Sequence, residues 1–246
     1  MALGLSGWAL GAGLAPYPSL EAAQEEIRSL GEKHPDQVQV FSIGQSALGR
    51  EVLALKIGKG DGKERPAALV GGGIHGDEYI GNRAAMAVAD LLVSGDPLAA
   101  RVLEKMDVYV VPLINPDGYA ATWESEGKGP TKETRTNGHG VDLNRNFGKP
   151  AGNIPLPLGY SGSKDPDSDR FVGPKPYSEP ESQNIRRLAQ EKHFFADVDF
   201  HSSGGLIIPV LCDDRESQRG LRKMANVYRQ ALRDRYIISM FPWRLP

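Results

Sequence analysis

The chain carries five histidines, His34, His75, His139, His193 and His201, and their sequence contexts separate them. His75 and Glu78 lie three residues apart in GGGIHGDEYIG (71–81), directly after the apolar run Ala67 to Val70. An imidazole and a carboxylate at that spacing can share one metal ion, and a catalytic zinc takes about three protein ligands and keeps a position open for water. The same spacing also suits an ordinary polar turn after a buried strand. His201 is the best third ligand, because DVDFHSSGG (197–205) ends an apolar strand there and opens a Ser/Gly loop. His139, in NGHG (137–140), is its rival. His34 and His193 fall where helices are expected to end, which is a capping or surface context.

A second group of residues suits an anion. Arg135 in TKETRTN (131–137) and Arg145 in GVDLNRNF (140–147) carry guanidinium forks that match a carboxylate in a bidentate way. Asn144 beside Arg145 can add amide donors. Asp142 can accept the second N–H of a metal-bound histidine and so orient its ring. Taken alone, Asn144-Arg145-Asn146 also reads as a solvated polar turn.

These residues need elements to hold them. SLEAAQEEIRSLGEK (19–33) has apolar residues at helical spacing behind the N-cap candidate Ser19. QVQVFSIG (37–44) and REVLALKI (50–57) read as strands of a hairpin joined by the turn-rich 44–49. Buried strands are expected at 67–70, at 107–113 and at 196–200, with helices at 82–93, 179–192 and 215–234. The last helix carries Leu221, Met224, Val227, Tyr228 and Leu232 on one face. Alternation of this kind predicts an α/β fold with a mixed, mostly parallel central sheet flanked by helices and a hairpin at one side. Sites in such folds lie at the carboxyl ends of the strands, where the motifs above stand. Residues 148–178, rich in Gly, Pro, Ser and Asp, are expected to form a long connection, of the kind that serves as a binding loop or a flexible segment.

The chain's net charge of -2, with no block of like charges, gives no reason to expect nucleic acid or an anionic membrane as partner. No run of about 18 apolar residues occurs, so no membrane span is expected. The apolar opening MALGLSGWALGAGLAP (1–16) has no basic residue ahead of it, which favours a cytoplasmic protein over an exported one. The single Cys212 excludes an internal disulfide and is expected to be buried.

As a set and in this order, HGDE, INPDGY (114–119), the arginine of ETRTN, GVDLNRNF and FHSS resemble the zinc metallocarboxypeptidase family. Residues 17–58 resemble its opening helix and hairpin, and PYSEPES (176–182) its segment before the next helix. HGDE, with Asp77 in place of a basic residue, looks closer to bacterial branches of the carboxypeptidase A-like family than to digestive ones. The resemblance implies one zinc ion held by His75, Glu78 and His201, with Asp142 behind His75. It implies Arg135 as the group that polarises the scissile carbonyl, and Asn144 and Arg145 as the grip on a peptide's C-terminal carboxylate. The domain so defined is 17–246, after an apolar extension at 1–16.

The same resemblance calls for a general-base glutamate and a substrate-capping tyrosine beyond the helix after His201. YIISMFPWRLP (236–246) does not look like that segment, and Glu216 and Tyr236 lack the surrounding motif. The expectation is therefore a C-terminally truncated carboxypeptidase domain acting on peptides, with its zinc side present and its proton-transfer side missing. Two other readings stand beside it. One is a non-catalytic protein that binds zinc and peptide carboxylates; the other is a related zinc deacylase of N-acyl amino acids.

Overall fold

The computed structural model describes residues 17–59, 65–148, 162–202, 206–208, 215–232 and 237–238. The opening 1–16, Cys212 and Tyr236 lie outside the described residues. Two compact units divide the chain, Met1–Phe147 with Ser163–Ser202 and Gly148–Gly162 with Ser203–Pro246.

In the larger unit, helix α1 (Leu20–Lys33) begins at Ser19, whose side chain accepts from the Ala22 N–H. It buries Leu20, Ala23, Ile27 and Leu30, one helical face at three- and four-residue spacing. Strands β1 (Val38–Gln45) and β2 (Glu51–Ile57) form the expected antiparallel hairpin, with an irregularity between Ser42 and Gly44. Then follow β3 (Ala67–Gly72), helices α2 (Tyr79–Val93) and α3 (Pro97–Leu103), and β4 (Asp107–Val111). Helices α4 (Pro116–Glu124) and α5 (Thr131–Arg135), a short 3-10 turn at Leu143–Arg145, α6 (Pro180–Lys192) and β5 (Ala196–Phe200) complete it.

The sheet runs β1-β2-β4-β3-β5. Strand β3 pairs in parallel with both β4 and β5, while β2 opposes β1 and β4. Four of the five strands thus share one direction, giving the mixed α/β sheet with its hairpin at one side. Successive side chains on a strand face opposite ways, and the core splits accordingly. Leu53, Leu55, Ile57, Val70, Val108 and Val110 pack against α1, α2 and α3 on one face. Val52, Ala54, Leu69, Tyr109 and Val111 pack toward Leu188 of α6 on the other. Each such fully buried aliphatic side chain contributes about 1.5–3 kcal/mol relative to exposure. Three layers result, helix, sheet, helix.

The sequence reading passes over α3, α4 and α5. The first two begin at Asp96-Pro97 and Asn115-Pro116, where the polar residue caps and proline occupies the first helical position. His34 and His193 do cap α1 and α6, His193 in the left-handed conformation.

In the smaller unit, β6 (Leu206–Ile207) and β7 (Ile237–Ile238) pair in parallel, and α7 (Arg215–Ala231) lies between them in sequence. The apolar face expected on this helix is only partly covered, with Leu221 and Met224 half-buried. Val227, Tyr228 and Leu232 are exposed, and burial falls on Gln218 and Ala225.

Candidate metal centre

Parallel strands in register bring their carboxyl ends to one edge. Gly71 of β3 stands opposite Val111 of β4, and Gly72 of β3 opposite Phe200 of β5. The segments leaving those ends are the three that carry the chemistry: His75 to Glu78, Asn115 to Tyr119, and His201. Gly76 rests against Gly118 so closely that a Cβ on it would stand 2.0 Å from the Gly118 carbonyl carbon. Glycine in HGDE therefore allows two loops to pack backbone to backbone. Asn115 locks the arrangement from below. Its side chain caps α4 by accepting from the Gly118 N–H and donates to the carbonyl of Thr136 at 3.0 Å, next to Arg135.

His75, Glu78 and His201 converge. One ligand atom from each lies within 4.8 Å of the others, the only such group among the described residues. Glu78 sits between the rings, its Oε1 3.0 Å from His75 Nδ1 and its Oε2 2.8 Å from His201 Nδ1. Ser202 adds a backbone N–H to the same Oε2. Burial works against ionisation of Glu78, but the hydrogen bonds and charges of His201 and His75 outweigh it and hold the carboxyl far below its usual range. Partial enclosure likewise works against a charged His201, yet Asp199 and Glu78 raise its pKa to about 9. Two histidines and one glutamate with facing ring nitrogens are a donor set that fits zinc.

Around this group the other expected residues take distinct places. Asp142, fully buried, lies with Oδ1 3.1 Å from His75 Nε2, so the far nitrogen of that ring faces a carboxylate. Burial alone would raise the Asp142 pKa; His75, Arg135 and Arg145 bring it below the ordinary value. Arg135 donates to Asp142 Oδ2 at 3.0 Å and lies 3.8 Å from Glu78 Oε1. Asn144 is exposed on the 3-10 turn, its Nδ2 3.4 Å from His201 Nε2. Arg145 follows it, half-buried, donating to the Asn144 carbonyl. His139 stands apart from the metal group, with Nδ1 2.8 Å from Glu179 Oε2. Of the two candidates for the third position, the structure brings His201 alone to Glu78.

One carboxylate at the site is missing from the sequence reading. Asp199 approaches His201 Nε2 with Oδ2 at 3.3 Å. Its signal was present in Asp-x-His at a strand end, since alternate residues share a face. Glu216 is exposed in the first turn of α7, in the smaller unit.

The family described as zinc carboxypeptidase (peptidase M14) matches residues 23–239. The chain belongs to the zinc carboxypeptidase family. It is 31% identical over 199 residues to carboxypeptidase A4 of Mus musculus, covering 78% of this chain and 46% of that protein. To a protein of Blastomyces gilchristii described as an inactive metallocarboxypeptidase it is 31% identical, covering 76% of this chain and 33% of that one. The crystal structure of carboxypeptidase A from Helicoverpa armigera superposes with a TM-score of 0.73 at 26% identity, over 89% of this chain and 54% of that chain. The chain thus spans about half the length of these relatives or less. Among the described residues no helix is long and apolar enough to cross a membrane.

Proposed function

We propose that this protein is a zinc-dependent carboxypeptidase domain that acts on the C-terminal residue of peptides, with His75, Glu78 and His201 holding one zinc ion; the general base that turnover needs is not assigned among the described residues. The observation that carries this reading is the convergence of those three side chains within 4.8 Å at the carboxyl edge of the sheet. Bound there, zinc supplies an activated water and polarises the scissile carbonyl.

The chain's own residues supply binding and charge. Asp142 keeps His75 oriented through Nε2 and anchors Arg135 through its other oxygen. Anchored in this way, the Arg135 guanidinium puts a fixed positive charge beside Glu78, where negative charge on a carbonyl oxygen would develop. Asn144, close to His201, and Arg145 after it on the same short turn offer an amide and a guanidinium to the substrate's terminal carboxylate.

The test uses the purified chain with stoichiometric zinc and N-blocked peptides that end in a free carboxylate or an amide. Release of the last residue from the acid only, stopped by a chelator and restored by zinc, is the expected result. Binding of the acid with no release at any zinc occupancy would leave a carboxylate-binding protein and end the peptidase reading.

A further inference from the structure

We propose that Asp199 is a positioning residue for the zinc site: it fixes the His201 ring in the tautomer that leaves Nδ1 free for the metal, as Asp142 does for His75. The inference rests on the zinc reading above and concerns a residue outside the ligand set.

The two imidazoles are used alike. Each presents Nδ1 to an oxygen of Glu78, at 3.0 Å for His75 and 2.8 Å for His201. Each has an aspartate at its far nitrogen, Asp142 at 3.1 Å and Asp199 at 3.3 Å. The ring centroids are 5.0 Å apart and inclined at 53°. A neutral imidazole has one N–H, and the group that accepts it decides which nitrogen keeps a lone pair. Both nitrogens of His201 face carboxylates, which only accept; once a metal takes the Nδ1 lone pair beside Glu78, the one proton of the neutral ring is left on Nε2, where Asp199 accepts it.

A second neighbour of the same nitrogen pulls the other way. The Asn144 amide Nδ2 is 3.4 Å from His201 Nε2. An amide N–H given to Nε2 would push the ring proton onto Nδ1, the nitrogen the metal needs. Asp199 therefore decides between two ring states, and by holding the Nε2 proton it leaves the exposed Asn144 amide free for a substrate carboxylate.

The placement of Asp199 suits this role. It lies on β5, two residues before His201 and so on the same face, paired in register with Gly71 of β3. Gly71 admits it: a Cβ there would stand 2.9 Å from Asp199 Oδ1. That Oδ1 is buried and has no hydrogen-bond partner among the described residues. The side chain is partly exposed, but one buried oxygen without a partner is unfavourable for packing alone. Carboxylate partners of this kind typically change metal affinity about 10–100-fold when removed.

The experiment measures zinc affinity by chelator competition for wild type, Asp199→Asn and Asp142→Asn, with ¹⁵N NMR of the histidine rings in zinc-loaded wild type. The expected result is a zinc Kd about 10–100-fold weaker in Asp199→Asn, with the His201 Nε2 proton present and Nδ1 shifted by the metal in wild type. The wild-type spectrum needs no variant, so a poorly folded Asp199→Asn still leaves the idea exposed to it. A metal on His201 Nε2, or a Kd within twofold of wild type in a folded Asp199→Asn, overturns the role of Asp199. Wild type that takes up no zinc at all overturns the metal reading instead.

Discussion

The Oε2 of Glu78 lies 2.8 Å from the Nδ1 of His201, across 123 residues of sequence. That approach joins the loop after β3 to the end of β5, and it is what turns a common His-x-x-Glu pair into a three-residue donor set.

Removal of any one donor should therefore show in metal content. His75→Ala, Glu78→Ala and His201→Ala are each expected to fall clearly below one zinc per chain after dialysis, while His139→Ala keeps it, because His139 is engaged by Glu179. Metal analysis of the four variants decides. Stoichiometric zinc retained by His201→Ala would remove that residue from the ligand set.

Recognition of the terminal carboxylate is expected to depend on the 3-10 turn. Asn144→Ala and Arg145→Ala should each weaken binding of a peptide acid by about tenfold or more, the size of a lost charge-assisted hydrogen bond. Binding of the matching peptide amide should barely change. Calorimetric titration with both ligands separates the cases, and equal losses for acid and amide would mean the two residues do not read the carboxylate.

Gly76→Ala tests the contact between the two loops. The added carbon would fall 2.0 Å from the Gly118 backbone, which cannot yield as a flexible side chain would. A loss of at least about 1–3 kcal/mol is expected from such overpacking, together with weaker zinc binding. Thermal unfolding of the variant matching wild type would show that the loops are free to part.

Glu181 gives a pH dependence away from the metal. It is fully buried, accepting from the Ala47 N–H at 2.9 Å and from Asn137 Nδ2 at 3.0 Å. Burial, with a smaller contribution from the charge of Asp117, raises its pKa in the folded chain despite those hydrogen bonds. The unfolded chain therefore loses this proton first as pH rises. The stability tied to the group is full below the unfolded value of about 4.3 and is lost as pH rises through the higher folded value. Glutamine cannot ionise, so the melting temperature of Glu181→Gln relative to wild type should move in the variant's favour between about pH 4 and pH 7. A difference that stays constant, or moves the other way, contradicts a raised pKa at this position.

Much of the larger unit was legible because its signals are local. Ser19 marks the start of α1, and the alternation in REVLALKI appears as the division of β2 between two cores. Helices α3 and α4 were less legible, being short and opened by Asp-Pro and Asn-Pro, pairs that also open turns. On α7 the apolar face is half-buried at Leu221 and Met224 and exposed at Val227, Tyr228 and Leu232, since periodicity shows which residues share a face but not how much of it is covered.

The sequence by itself determined the donor types, the His75-to-Glu78 spacing and the strand-end setting of His201, for these depend on neighbours along the chain. It favoured His201 over His139 as third ligand, but it could not show that His201 reaches Glu78, nor that Asp199 stands behind His201. Those are distances between segments far apart in sequence, and the parallel register of β3 with β5 fixes them by bringing Gly72 opposite Phe200. Side-chain chemistry travels with the residue, whereas the direction in which a ring nitrogen points is decided by what the folded chain packs against it.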